Sequence, residues 1–127
     1  YIVKKIMNNM IKYDIQIENS NILILGISFK ENCPDIRNTK IIDVIKIFNQ
    51  FNCNIDVYDP IVARDEVKKV LKINITQKQK LKKNYDCILK LVSHKEFDNF
   101  NDIEYRKKKS IIFDIKGSVE NEKIISI

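Results

Sequence analysis

Between Ile22 and Lys40 the chain passes from an apolar run, Ile22-Leu23-Ile24-Leu25, through Gly26 into a polar loop, and then into a helical period. Few folds accept that succession. Four aliphatic residues with no polar alternation read as a strand covered on both faces, and a helix following across a loop makes the first half of a βαβ unit. The loop then lies at the carboxyl end of the strand, where open α/β sheets build ligand sites. It carries Lys30, Glu31, Asp35 and Arg37, more charge chemistry than a turn requires.

The remaining segments fit that beginning. In residues 1–14, Ile2, Val3, Ile6, Met7, Met10 and Ile11 recur at three- and four-residue spacing and predict an amphipathic helix. The first strand is expected over 22–27. A helix capped by Asn38 or Thr39 should run to about residue 51, and a second strand over 55–58 should stop at Asp59-Pro60. Further expectations are a helix over 65–71, a short strand at Ile73 and Ile75, and a polar helix or loop over 77–83. A third strand should cover 87–92, followed by a loop with a helical turn over 93–100. After the basic run 106–109 comes a fourth strand over 111–115, and a tail from Gly117 is expected to lie over the sheet. The predicted fold class is α/β: a three-layer, Rossmann-like domain with a mainly parallel sheet, preceded by a helix.

Composition excludes several classes. A chain of 127 residues with 44% hydrophobic content can bury a core as one domain, so wholesale disorder is ruled out. No apolar run approaches the ~18 residues of a membrane span. The net charge of +6 is almost all lysine, with Arg37, Arg64 and Arg106 the only arginines. Nucleic-acid binders more often cluster arginine and aromatic side chains, so an anionic small ligand fits better than RNA or DNA. Cys33, Cys53 and Cys87 are too few and scattered for a disulfide framework or a metal site, which points to free thiols and a cytoplasmic setting. The chain opens on Tyr1 with no signal-peptide pattern and is expected to be a piece of a longer protein.

Candidate site residues follow from position. Lys30, just beyond the first strand, can neutralise a phosphate or carboxylate. Arg37 either pairs with Asp35 or grips a diphosphate through two parallel hydrogen bonds. Gly26 stands alone where a dinucleotide fingerprint needs several glycines, so NAD is not gripped here in the usual manner, and Gly26 serves close packing or a tight strand exit. Asp59 ends the second strand, as a turn residue or a ribose-binding acid, with the turn favoured. His94, the single histidine, has no evident carboxylate or nucleophile partner in the sequence and reads as structural or exposed. No catalytic group is expected in the chain.

The wording Gly26-Ile-Ser-Phe-Lys-Glu-Asn-Cys-Pro-Asp-Ile-Arg-Asn-Thr39 resembles the loop that opens the C-terminal domain of the UDP-glucose/GDP-mannose dehydrogenase family. Later segments match in order: Val57-Tyr58-Asp59-Pro60, Tyr85-Asp86, Val92-Ser93-His94-Lys95-Glu96-Phe97 and Phe113-Asp114-Ile115-Lys116-Gly117. Within the family the loop is most similar to the branch that oxidises UDP-N-acetylhexosamines for surface polysaccharides. The resemblance implies an NAD-dependent 6-dehydrogenase in which residues 1–19 link from a central dimerisation domain and residues 20–127 form the C-terminal UDP-sugar-binding domain. It implies that Phe29, Lys30 and Lys116 touch the UDP-sugar and that Arg37 reaches NAD held mainly by another domain. It places the catalytic cysteine upstream of Tyr1 and makes the full-length enzyme a homodimer. Two other readings stay open: a stand-alone nucleotide-binding or regulatory module, and a nucleic-acid binder argued from charge alone.

Overall fold

The computed structural model describes residues 2–28, 30–37, 39–115 and 123–125. Helix α1, Ile2–Lys12, buries Val3, Ile6, Met7 and Met10, the stripe expected from their spacing. Asp14 takes a left-handed φ of 59°, and the Ile15 amide reaches back to the Met10 carbonyl at 2.8 Å. Helix α2, Thr39–Gln50, closes in the same way. There Asn52 has a φ of 59° and the Cys53 amide donates to the Phe48 carbonyl at 3.2 Å. Glycine usually fills this left-handed position, but in a chain with two glycines Asp and Asn take it, their short polar side chains tolerating the geometry.

Four parallel strands form the sheet: β1 Asn21–Leu25, β2 Asn54–Tyr58, β3 Tyr85–Lys90 and β4 Arg106–Asp114. A fifth, β5 Lys123–Ile125, pairs antiparallel with β4, giving the order β2-β1-β3-β4-β5. Helices α3, Arg64–Leu71, and α4, Asp102–Tyr105, complete the set with 3₁₀ turns at Lys78–Lys80 and Lys95–Phe97.

Period-two alternation divides the core. Ile22, Ile24, Val57, Cys87, Leu89, Ile111 and Phe113 join one aliphatic core with buried residues of α1, α2 and α3. Leu23, Leu25, Ile88 and Ile112 join a second core with Leu81, Tyr85, Phe97 and Tyr105, roofed by short turns rather than long helices. The sheet is therefore covered on both faces, as the continuous apolar strands require.

Several boundaries differ from expectation. Ile73 and Ile75 form no strand. That segment runs beside β2 with one backbone bond to it, from the Thr76 amide to the Val57 carbonyl at 2.7 Å. The third strand starts at Tyr85 and ends at Lys90: the Leu91 amide gives the last rung to the Leu25 carbonyl at 3.0 Å, and the Val92 amide turns back to the same carbonyl at 3.4 Å. The basic run 106–109 lies inside β4 rather than before it. The described part of the tail, β5, joins the sheet edge instead of lying over the sheet. Asn38, one of the two candidate caps of α2, and Gly117 lie outside the described residues, and Thr39 is the first residue of the helix.

Candidate functional site

The chain leaves β1 on one side for β2 and returns on the other for β3, so the sheet order reverses beside β1. Open α/β sheets bind ligands in the crevice at the carboxyl ends of strands flanking such a reversal. Here polar side chains that follow β1, β2 and β3, namely Ser28, Asp59 and His94, are all buried.

Asp59 anchors the arrangement. Its Oδ2 accepts from the Ile27 amide at 2.8 Å and the Ser28 amide at 3.3 Å, and its Oδ1 accepts from the Ile61 amide at 2.9 Å. His94 Nε2 lies 2.8 Å from the same Oδ2 and 3.1 Å from Ser28 Oγ. The other ring nitrogen settles the tautomer: His94 Nδ1 faces the Asn32 amide at 2.9 Å, and a backbone amide can only donate. Nδ1 is therefore bare and Nε2 carries the hydrogen, aimed at the carboxylate. A carboxylate in a dry interior needs such donors, and Asp59 has them from three chain segments. The sequence offered no partner for His94, and the structure corrects this with Asp59, 35 positions away.

This trio is not a nucleophilic triad. A triad uses the two imidazole nitrogens separately, one for the acid and one for the hydroxyl. Here Asp59 and Ser28 share one nitrogen, while the Ser28 hydroxyl donates to the Lys30 carbonyl at 2.9 Å.

Gly26 explains how the strand ends pack so closely. It has a φ of 97°, and a Cβ there would stand 2.6 Å from Val92 Cβ and 3.0 Å from the Val92 nitrogen. Both the conformation and the clearance demand glycine.

From this frame the charged loop projects. The Lys30 side chain is exposed. Arg37 is 85% exposed and pairs with Asp35: its Nε lies 3.0 Å from both carboxylate oxygens and its Nη2 lies 2.6 Å from Oδ2. The bonds from the Arg37 side chain and amide, with the nearby Lys30 charge adding to them, hold the Asp35 carboxyl below its ordinary range, and Asp35 raises Arg37 in turn. The pair occupies one edge of the guanidinium, and Nη1 is left for another anion. Phe29 and Lys116 lie outside the described residues. Asp114, two positions before Lys116, lines a cleft of about 200 Å³ with Lys90, His94, Phe97 and Asp98.

Two clefts more than twice that size lie away from the strand reversal. One, of about 440 Å³, is at the amino ends of the strands, where Asp86 accepts from the Asn21 amide at 2.8 Å and pairs with Lys107 at 3.0 Å. The other, of about 450 Å³, lies between α1 and α2. Some of the lysines stand beside acids, as in the pairs Lys82–Asp56 and Lys83–Glu104. Among the described residues no group of three metal-ligating side chains converges, and no helix is long and apolar enough to cross a membrane.

Comparison with known proteins decides the family. The UDP binding domain of the UDP-glucose/GDP-mannose dehydrogenase family matches residues 23–121. The chain belongs to this family. Among family relatives, the UDP-N-acetyl-D-glucosamine 6-dehydrogenase of Salmonella typhi is 40% identical over 119 residues, covering 91% of this chain and 28% of its own length. The enzyme of the same name from Pseudomonas aeruginosa is 31% identical, covering 97% of this chain and 30% of its own length. The solved UDP-N-acetyl-mannosamine dehydrogenase from S. aureus superposes with a TM-score of 0.65 at 27% identity, covering 92% of this chain and 26% of that one. The chain thus spans under a third of the length of these family members.

Proposed function

We propose that this chain is the nucleotide-sugar-binding portion of an NAD-dependent UDP-sugar 6-dehydrogenase, which oxidises the C6 alcohol of a UDP-hexose or UDP-N-acetylhexosamine to the uronic acid. The observation that carries the reading is the coincidence of family and place: the UDP-binding match covers the loop of Lys30 and Arg37, and that loop leaves the sheet at its strand reversal. In this reading residues 1–19 link from a dimerisation domain and residues 20–127 bind the substrate. Phe29, Lys30 and Lys116 hold the UDP-sugar, where an exposed ammonium offsets the diphosphate charge.

NAD supplies the hydride acceptor. The clearance at Gly26 is taken up by Val92 and leaves no cradle for a pyrophosphate. What fits the cofactor is a single exposed arm, Arg37, whose open guanidinium edge can reach a diphosphate held elsewhere. Cys87 and Cys53 are poor nucleophiles, since burial pushes both thiols up, and the reactive thiol belongs to another part of the enzyme. A homodimer working in the cytoplasm on precursors of surface polysaccharide completes the proposal.

The test is steady-state kinetics of the full-length enzyme with a panel of UDP-sugars. Lys30→Ala and Arg37→Ala should each lower kcat/KM at least about tenfold, the scale of one charge-assisted hydrogen bond. Lys30→Ala should act on the UDP-sugar and Arg37→Ala on NAD. Wild-type kcat/KM in both variants would sink the assignment.

A further inference from the structure

We propose that His94, in its Nε2–H tautomer, is the positioning residue that sets the 28–32 loop, and with it Lys30, over the strand ends. The inference rests on the nucleotide-sugar reading only for what Lys30 meets; the clamp itself is argued from geometry.

The segment from Ser28 to Asn32 is held at both ends, and Lys30 and Glu31 are exposed between them. At its start, the Ser28 amide bonds Asp59 at 3.3 Å, and the Ser28 hydroxyl bonds the Lys30 carbonyl at 2.9 Å. At its end, Asn32 has a left-handed φ of 56°. Its amide donates to His94 Nδ1 at 2.9 Å, and its own Oδ1 accepts from the Lys95 amide at 2.8 Å. One imidazole thus joins both ends of the loop: Nε2 addresses Asp59 and Ser28, and Nδ1 addresses Asn32. The ring is fully buried and packs against Phe97, with centroids 5.5 Å apart, so it cannot swing away without opening the second core.

The two tautomers are not interchangeable here. Moving the hydrogen from Nε2 to Nδ1 sets two N–H groups against each other at Asn32 and removes the only ring donor from Asp59. The orientation follows from Asp59, whose acceptor capacity calls for a donor at Nε2, and Asp59 is itself fixed by the Ile27, Ser28 and Ile61 amides. Specification therefore runs from β2 through the ring to the loop that carries Lys30. An ordered loop spares the ligand the cost of ordering it, so the consequence falls on affinity.

His94 is the only histidine in the chain, which gives a direct experiment. In the 127-residue chain labelled with 15N-histidine, the two ring nitrogens should show a neutral ring protonated at Nε2 alone. A ring protonated at Nδ1, or a rapidly averaging pair, overturns the proposal without any variant having to fold. Hydrogen exchange then tests the mechanical claim. His94→Asn keeps an acceptor near the Nδ1 position and should retain protection of the Asn32 amide. His94→Gln places its amide near Nε2, keeps the bond to Asp59 and should lose that protection. Equal protection in the two overturns the clamp.

In the full-length enzyme His94→Gln should raise KM for the UDP-sugar about tenfold with kcat little changed, and His94→Asn should recover most of that loss. A fall in kcat alone overturns the positioning role. If wild-type enzyme binds no UDP-sugar, the nucleotide-sugar reading fails, while the tautomer and exchange results still decide the clamp.

Discussion

Two carboxylates at the same end of the sheet, Asp59 and Asp35, are used in opposite ways. Asp59 is 3% exposed and accepts hydrogen bonds from three backbone amides and one imidazole, drawn from the ends of three strands. Asp35 lies in the projecting loop and takes its bonds from a residue two positions along. The first holds the architecture of the site; the second holds one arginine in a ready pose and adds little else. Surface ion pairs are screened and contribute modestly, whereas a buried charge deprived of its partners, or partners deprived of their charge, costs several times more.

That contrast is open to attack, starting with the largest effect. Asp59→Ala leaves three amides and the His94 N–H unsatisfied in the interior and should destabilise the chain by about 3–5 kcal/mol, read as a shift in the urea midpoint. A loss below about 1 kcal/mol would mean that water reaches the strand ends and that Asp59 resembles Asp35 after all. Next comes the frame behind Asp59. Gly26→Ala collides with Val92 at a left-handed φ and should cost about 1–3 kcal/mol. Val92→Gly in the same chain should return part of that cost, and strict additivity of the two would show that the contact is not responsible.

At Asp35 the expectation is a pH effect with little change at neutrality. Because Arg37 lowers the folded-state pKa of Asp35, the stabilisation is present above the unfolded value near ~3.9 and is lost as pH falls through the lower folded value. Asp35→Asn should therefore have a urea midpoint close to wild type at pH 7, and the remaining gap should close on acidification. In Arg37→Ala the Asp35 titration, followed by NMR, should return towards the ordinary carboxylate range. An unchanged titration would deny the pairing. The smallest effect concerns the thiols. Cys33, half-buried in the projecting loop, should react with a disulfide reagent before Cys53 and Cys87, whose thiols burial pushes up. First reaction at Cys87 would mean that the sheet opens more readily than the loop moves.

Local rules made part of this visible in the sequence. The stripe in residues 2–11, the apolar strands and the Asp59-Pro60 stop are short-range patterns, and they placed the mainly parallel sheet, while the strand order came only with the structure. The clearance at Gly26 was legible too, since a lone glycine after a strand calls for close approach. Ser28–Asp59–His94 was not, because its members lie 31 and 35 positions apart and meet only once three strands align. A usable signal existed: each lies within four positions of the end of an apolar strand, and parallel strands bring such residues to one end. Ile73 and Ile75 failed for the opposite reason, since alternation there promised a ladder but the segment has only one backbone bond to β2. The basic run 106–109 was set apart from its strand because lysines read as loop, although β4 carries them as exposed strand positions.

The pairing of β3 with β4 has an outcome of another kind. Between the pairs Tyr85–Arg106 and Cys87–Ile111, two residue steps on β3 face five on β4, so the longer strand must buckle outward. On its other side, among the described residues, β5 pairs with Ser110 to Ile112. An irregular strand near a sheet edge invites a strand from a neighbouring molecule, the first step towards fibrils. Buckling and three consecutive lysines at 107–109 both oppose it, since a second copy would bring its own ammonium groups against the first. Three ammonium groups in a row thus set a charge barrier to self-pairing at this strand, far along the sheet from the loop of Lys30 and Arg37.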